Sequence, residues 1–265
     1  MSSALSSGSS TIFPSWHFAS WTAVDDRVRG GSSRSHLDPV EVDLRGESTK
    51  AARFWGTLDI KTLGGAGFAS QRYIFGPRPL SLPRNEFTGI CLSVLPDKQS
   101  HIIAPAVSPS HAGTQPTHFT LVLKTTIRPE PNPPKVPPSP EPASLSYEAT
   151  FSSPSSLSSS PTEVCLEWLD FKVTYRGREV PRSDPRHEPL DPSGVYEMSL
   201  MCRSGFGKQE GEFGLVVLAI GGWRRDAKLK AREGCWDGLR SWLGRCRAGT
   251  TGTGEIRLEG DEKGL

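Results

Sequence analysis

Residues 195–220 read VYEMSLMCRSGFGKQEGEFGLVVLAI, and this stretch predicts two β-strands joined by a glycine-rich turn. The two outer parts, 195–203 and 213–220, are short and apolar and are bounded by turn residues, as strands usually are. The three glycines between them supply bends that side chains would oppose. The turn also carries two candidate contact residues, Phe206 and Gln209. The pattern favours a β fold that closes with a strongly apolar strand.

Segments of the same kind recur along the chain. Val40, Val42 and Leu44 alternate with polar residues, as in a half-buried strand. Glycine (27 residues) and proline (23 residues) are abundant while helix-period runs are scarce, which favours an all-β chain with many turns. Short strands at this spacing predict a β-sandwich. The other predicted strands are 16–21, 54–60, 68–75, 87–95, 118–127, 163–168 and 171–178.

The segments 54–60 and 68–75 flank the sequence LGGAG at 63–67, and we interpret the three together as a β-hairpin with a tight glycine turn. A glycine-rich cradle for a dinucleotide phosphate requires a helix directly after the glycines. Here an apolar strand follows instead. The arrangement argues against an NAD(P) site, and we predict no cofactor.

Composition divides the chain into a β domain and flanking polar regions. Hydrophobic residues make up 35% of the chain, which is low enough to indicate disordered parts. We expect a disordered serine-rich N-terminus at 1–13 and a β-sandwich over 14–222. Within the sandwich, 128–162 is predicted to be a disordered Pro/Ser-rich insert with one strand at 145–151. The basic tail, 223–265, has helical spacing of apolar residues in its first half and is expected to be partly helical or disordered.

Charge and cysteine content exclude several classes of protein. The 31 basic and 29 acidic residues give a net charge of +2, too small for the basic footprint of a nucleic-acid-binding protein. The five cysteines are odd in number and lack CxxC or Cys/His ligand spacing. We therefore expect reduced thiols in an intracellular protein and no metal site.

Targeting and membrane signals are weak. No apolar run reaches the ~18–20 residues of a transmembrane helix. The first twenty residues lack the basic and apolar regions of a secretory signal. They are rich in serine and free of acidic residues, as mitochondrial presequences are, but the first arginine is Arg27. The sequence thus predicts no transmembrane segment and no clear presequence.

The densest run of polar side chains is DDRVRGGSSRS at residues 25–35. Aspartate and serine side chains bond local backbone groups, and a Gly-Gly pair permits positive φ or a close approach of another chain segment. Two interpretations are open: the loop satisfies its own polar groups, or it forms a rim that contacts a partner or ligand. The candidate residues here are Trp21, Asp25, Asp26, Arg27, Gly30, Gly31, Ser32 and Ser33.

A second candidate cluster comprises Tyr175, Arg176 and Arg178. Arginine binds carboxylates and phosphates through two parallel hydrogen bonds, so the cluster is a candidate recognition point. The alternative is a surface ion pair with Asp170 or Glu179.

Ser35, His36 and Asp38 have the residue types of a hydrolase triad but not the geometry. Adjacent residues of a strand point to opposite faces, so Ser35 and His36 would not form a nucleophile–base pair. Asp25 and Asp26 do not have the ligand spacing of a calcium loop. We therefore predict no catalytic residue and no metal ligand.

Several of these pieces, taken in order, resemble one protein family. They are Trp21, DDRVRGGSS at 25–33, Phe54 with Gly56, GGAGFAS at 64–70, FTGI at 87–90, Trp168 with Asp170-Phe171, TYRGR at 174–178 and SLMCRSGFGKQEGEFGLVV at 199–217. The combination resembles the complex I intermediate-associated protein 30 family over about residues 16–220, interrupted by the Pro/Ser-rich insert. The resemblance implies a galactose-binding-like jelly-roll β-sandwich. It also implies a mitochondrial, non-enzymatic protein that holds assembly intermediates of respiratory complex I.

Two hypotheses for function follow. The first is a chaperone-like assembly factor whose sandwich loops hold another protein; it takes its partners and its mitochondrial location from the resemblance, with a cytoplasmic location as the alternative. The second is a carbohydrate- or other small-ligand-binding module. Sugar sites stack the ring on an aromatic side chain beside acidic groups, and Trp21 beside Asp25 and Asp26 fits that requirement. The basic tail would also allow peripheral contact with an anionic membrane.

Overall fold

A computed structural model of the chain describes residues 10–13, 15–98, 114–125 and 144–224. These residues form thirteen β-strands and three short 3₁₀ turns (Phe18–Ser20, Asp26–Arg29 and Pro192–Gly194), and they contain no α-helix. In chain order the strands are β1 (Ser10–Phe13), β2 (Trp21–Ala23), β3 (Arg34–Leu44), β4 (Glu47–Leu58), β5 (Phe68–Ile74), β6 (Gly89–Pro96), β7 (His118–Lys124), β8 (Leu145–Ser152), β9 (Thr162–Glu167), β10 (Lys172–Tyr175), β11 (Arg178–Glu179), β12 (Glu197–Arg203) and β13 (Gly211–Trp223).

The strands form two antiparallel sheets packed face to face, so the predicted all-β sandwich is confirmed. The six-stranded sheet has the order β3-β4-β13-β6-β9, with β1 paired to β13. The seven-stranded sheet has the order β11-β10-β8-β7-β12-β5-β2. No helix in the described part of the chain is long and apolar enough to span a membrane.

The main core lies between the sheets and is built from alternate residues of each strand. Phe54, Phe119 and Phe213 are buried at its centre, with ring centroids 5.1–6.2 Å apart. Aromatic rings at such distances pack favourably beyond their burial alone. The alternating Val40, Val42 and Leu44 do lie on a strand, as predicted. They belong to a second, smaller apolar cluster on the opposite face of the six-stranded sheet.

The N-terminal boundary differs from the expected one. Residues 10–13, predicted to be disordered, form β1 on β13, because Phe13 is buried and its ring packs against those of Trp16 and Trp21. The predicted strand at 16–21 is wrong in its extent, since Phe18–Ser20 is a 3₁₀ turn and β2 begins only at Trp21.

The Pro/Ser-rich insert also differs from the expected one. The strand predicted at 145–151 is confirmed as β8, which pairs with both β7 and β10. The link 153–161, predicted to be disordered, instead has hydrogen bonds of its own: Ser153 N donates to Thr117 O at 2.7 Å, and Ser158 N donates to Ser155 O at 2.8 Å. Burial of Tyr147 and Phe151 in the core holds the preceding strand, β8, in place. The remainder of the predicted insert up to residue 143 lies outside the described residues, as does the predicted tail helix.

The predicted hairpin at 54–75 is wrong. β4 pairs with β3 and β13 in the six-stranded sheet, whereas β5 pairs with β2 and β12 in the other sheet. Both edges of each strand are therefore occupied by other partners. The glycine-rich stretch crosses between the sheets, and Gly64 (φ +60°) and Gly65 (φ +94°) have the left-handed conformation that this path needs.

The expectation of reduced cysteines is wrong for one pair. Cys91 and Cys165 are directly opposite each other on β6 and β9 and form a disulfide. Their separation of 74 residues carries no local signal of pairing. Cys202 is a buried free thiol, and burial raises its pKa, so it remains protonated.

Candidate functional site

Four loops that the structure describes in full, 24–33, 59–67, 153–161 and 204–210, meet at one end of the sandwich, beside residues 114–117 of the β6–β7 connection. We call this region the loop end. The Ser32 and Thr62 hydroxyls lie 3.1 Å apart and join the first two loops. The fourth loop joins the second through Ser204 N, which donates to Gly67 O at 2.9 Å.

Asp26 is completely buried and holds its own loop against β5. Its Oδ1 accepts from Ser33 N at 3.0 Å, and its Oδ2 accepts from Ser33 Oγ at 2.6 Å and from Phe68 N at 3.2 Å. Gly31 packs so closely that a Cβ there would lie 2.3 Å from the Asp26 carboxyl carbon. The Gly-Gly pair thus admits a buried carboxylate, and the neighbouring Gly30 (φ +83°) ends the 3₁₀ turn.

Asp25 joins the two sheets. Its Oδ1 accepts from Ser35 Oγ at 2.6 Å and from Ser70 N at 2.9 Å, and its Oδ2 accepts from Ser35 N at 3.2 Å. Ser35 lies on β3 and Ser70 on β5. Gln71 adds a bond from Nε2 to Ser35 O at 3.0 Å. Within the described ranges, neither Asp25 nor Asp26 forms a salt bridge, so backbone amides and hydroxyls alone hold both carboxylates.

The first interpretation of the polar loop, that it satisfies its own polar groups, therefore holds for the residues that face the interior. Asp25, Asp26 and Ser33 use their side chains in internal hydrogen bonds. The outward half is Arg27, Val28 and Arg29, all exposed. Arg29 places its guanidinium 5.6 Å from the centroid of the Phe68 ring.

The turn at 204–210 presents an aromatic ring to solvent. Gly205 (φ +58°), Phe206 (φ +61°) and Gly207 (φ +83°) are three successive left-handed residues. Left-handed backbone is uncommon for a residue with a side chain. The base of the turn is firmly held, because Ser204 Oγ donates to Gly65 O at 2.8 Å and accepts from Gly67 N at 3.0 Å.

Gln209 is a structural clamp. It is buried, and its Oε1 accepts from the amides of Thr117 (3.1 Å) and His118 (3.2 Å). Its Nε2 donates to His118 O at 2.9 Å and to Arg203 O at 2.7 Å. The bonding capacity of the amide is used inside the fold, so Gln209 supports the turn and does not face a ligand.

Trp21 is buried and does not form part of an open rim. Its ring packs against Phe13, Trp16 and Tyr73 at centroid distances of 5.3–6.1 Å. The depression of about 310 Å³ beside the polar loop is lined by Ala23, Asp25, Arg27 and Val28 and has no aromatic wall. The structure thus offers no sugar-stacking ring at the position where the small-ligand hypothesis placed one.

The second candidate cluster forms the turn between β10 and β11. Arg176 (φ +53°) and Gly177 (φ +75°) make the turn, and Tyr175 packs under two guanidiniums, those of Arg176 at 5.5 Å and Arg186 at 5.2 Å. Arg203, the last residue of β12, donates to Gly177 O at 3.1 Å and also bonds to Glu148.

The expected ion pairs of this cluster are not formed. Glu179 pairs with Lys172 at 3.1 Å, and Asp170 accepts from Glu167 N at 2.7 Å. Arg176 and Arg178 are exposed and have no carboxylate partner in the part of the chain that the structure describes.

Ser35 and His36 lie on opposite faces of β3. Ser35 is buried against Asp25, whereas His36 faces outward and stacks on Trp55 with 4.5 Å between centroids. Asp38 accepts from Trp55 Nε1 at 2.7 Å. The described residues also contain no cluster of three metal-ligating side chains. The candidate residues predicted from the sequence do not include Val28, Arg29 and Leu157, although all three are exposed on loops of the loop end. No local sequence pattern marks these side chains as exposed.

The protein is a β-sandwich in which buried hydrogen bonds from polar side chains hold the exposed loops in place. A family model described as "Complex I intermediate-associated protein 30 (CIA30)" matches residues 10–217. The chain is also similar to "Uncharacterized protein C9E9.15" of Schizosaccharomyces pombe (strain 972), with 39% identity over 205 residues, covering 77% of this chain and 78% of the relative. The chain therefore belongs to the complex I intermediate-associated protein 30 family.

Proposed function

We propose that this protein is a non-enzymatic, chaperone-like assembly factor that holds intermediates of mitochondrial respiratory complex I. Membership of the family supports a role related to complex I assembly. The partners would be protein subcomplexes, and the location mitochondrial. The proposal includes no cofactor and no metal ion.

The observation that carries the proposal is the turn between β10 and β11. Arg176 and Arg178 are exposed there and no described carboxylate neutralises them. Arg203 holds the turn at Gly177 O, and Arg186 covers the Tyr175 ring. Because the backbone of the turn is already ordered, only the arginine side chains lose conformational freedom when they bind a carboxylate on another protein. The turn therefore fits an acidic surface of a protein partner.

Internal use of the other polar candidates supports a binding role over catalysis. Acid–base chemistry needs a carboxylate or imidazole within reach of a substrate. Asp25 and Asp26 are buried and bonded to the backbone of β3 and β5, and Ser35 is turned away from His36. These groups stabilise the loops and do not face a substrate.

The test is native-gel migration of the tagged full-length chain with respiratory intermediates from fractionated cells. We expect the protein to co-migrate with membrane-bound subcomplexes, and the double variant Arg176→Glu/Arg178→Glu to lose that co-migration. Arg78→Glu/Arg182→Glu is the matched control, since both side chains are exposed and lie outside the loops and turn discussed above. Recovery of the protein only as a monomer in the cytosolic fraction would overturn the proposal.

A further inference from the structure

Three large apolar side chains are exposed at the loop end, each on a different loop. Val28 is 76% exposed, Leu157 is 92% exposed and Phe206 is 76% exposed. Leu157 belongs to this end because Ser153 N donates to Thr117 O, and Thr117 N in turn donates to Gln209. The other large exposed apolar residues in the described ranges are Ile74, the last residue of β5, and Leu169, which follows β9; both lie at the opposite end of the sandwich.

Phe206 is unfavourable for stability in two respects. Its ring is exposed, with no ring contact among the described residues, and its backbone is left-handed although glycines flank it on both sides. A glycine at the same position would avoid both effects. Strained residues held by firm surroundings are a recognised mark of function, and Ser204 and Gln209 supply such surroundings here.

Cations lie among these apolar tips. Arg27 and Arg29 are exposed on the loop of Val28, and Lys208 on the loop of Phe206; Lys61 is exposed on the neighbouring 59–67 loop. The acidic residues of the loop end are directed elsewhere. Asp25 and Asp26 bond inward, and Asp59 accepts from Thr62 N at 3.0 Å. Glu210 is half-buried, and the 153–161 loop contains no acidic residue.

We propose that the loop end is a contact surface for an anionic bilayer, with Val28, Leu157 and Phe206 inserting between headgroups. Apolar side chains at an interface contribute by burial, and nearby lysines and arginines by attraction to anionic lipid. The three tips project from separate loops, which suits insertion into lipid better than a protein interface, whose anchors cluster in one buried patch. The surface is distinct from the Tyr175–Arg178 turn, so this inference does not depend on the partner proposed above.

The test is co-flotation of the purified full-length chain with vesicles of 70% phosphatidylcholine and 30% phosphatidylglycerol, against vesicles of pure phosphatidylcholine. We expect binding to the anionic vesicles that weakens as salt is raised, because exposed charges are screened. The variant Val28→Ser/Leu157→Ser/Phe206→Gly should lower the vesicle partition coefficient by about tenfold or more. The matched control is Ile74→Ser/Leu169→Ser, which should bind as the unchanged chain does.

Two further variants separate insertion from misfolding. Phe206→Trp keeps an interfacial aromatic ring and should bind at least as tightly as the unchanged chain. Arg27→Glu/Arg29→Glu should reduce binding to the anionic vesicles while leaving the thermal midpoint close to its original value. Equal binding by the triple variant and the unchanged chain would overturn the proposal, because another part of the chain would then be responsible. Absence of binding to anionic vesicles, or equal binding to neutral ones, would overturn it as well.

Discussion

The Asp26 carboxylate accepts a hydrogen bond from the Ser33 hydroxyl at 2.6 Å, across a loop whose outer side carries only exposed residues. The same Ser33 hydroxyl accepts from Asp59 N at 3.0 Å, so one serine joins two loops of the sandwich. Buried side chains, those of Asp26 and Ser33, thus hold the loops of the loop end in place.

Asp26→Ala should lower the free energy of unfolding by about 3 kcal/mol, because it leaves the Ser33 amide, the Ser33 hydroxyl and the Phe68 amide without an acceptor. Urea denaturation measures the change. Asp38→Ala is the control, since Asp38 is exposed and accepts one bond from Trp55. It should cost less than about 1 kcal/mol. Equal losses in the two variants would contradict the structural role of Asp26.

Gly31→Ala should be destabilising by about 2 kcal/mol or more, because the added Cβ would lie 2.3 Å from the Asp26 carboxyl carbon. Gly194→Ala is the matched control, since no atom lies within 4 Å of the Cβ it would add. Thermal unfolding followed by circular dichroism should separate the two variants, with Gly194→Ala within about 0.5 kcal/mol of the unchanged chain. A tolerated Gly31→Ala would show that Asp26 is not packed against this position.

Phe206→Gly should stabilise the fold. Removal of left-handed strain gains about 1–2 kcal/mol, and the greater freedom of glycine in the unfolded chain offsets about 0.4–1 kcal/mol of that gain. Phe206→Ala removes the ring but keeps a Cβ at φ +61°, so it should not show the gain. The thermal midpoints of the two variants compare them directly. A lower midpoint for Phe206→Gly would mean that the ring contributes to folding.

Asp184 should titrate far below an ordinary aspartate. Hydrogen bonds from the Arg186 guanidinium and amide lower the pKa of Asp184 from 3.8 to about 2. A folded-state pKa below the unfolded value contributes stability above pH 3.8, and that contribution is lost as pH falls toward 2. Carboxyl-carbon NMR titration measures the pKa, and Arg186→Gln should return it toward 3.8. An unchanged value in that variant would assign the shift to another group.

Strand positions were largely predictable from the sequence, because each strand carries its own alternating pattern. The pattern placed β3 through Val40, Val42 and Leu44, and β7 within the stretch predicted at 118–127. Strand pairing was not predictable in the same way. The glycines at 63–67 are equally compatible with a hairpin and with a crossover between sheets. The choice depends on β12 and β13, which begin only at Glu197 and Gly211.

The residues of the polar loop were predictable from the sequence, but the directions in which their side chains point were not. The density of aspartate, serine and glycine at 25–35 marked a structured loop. Which way Asp25 and Asp26 point depends on the amides of Phe68 and Ser70, which lie 42 and 45 residues away from them. The disulfide between Cys91 and Cys165 likewise follows from the register of β6 and β9, which local sequence does not contain.

The bonds from Asp25 to both β3 and β5 couple the loop to the closure of the sandwich. A loop held only by its own turn can open alone, and its amides then exchange with solvent on the timescale of local fluctuation. Here the loop can open only by breaking, together, the bonds of Asp25 to the Ser35 amide on one sheet and the Ser70 amide on the other. We therefore expect slow deuterium uptake at both amides, although they lie beneath one of the most exposed surfaces of the domain.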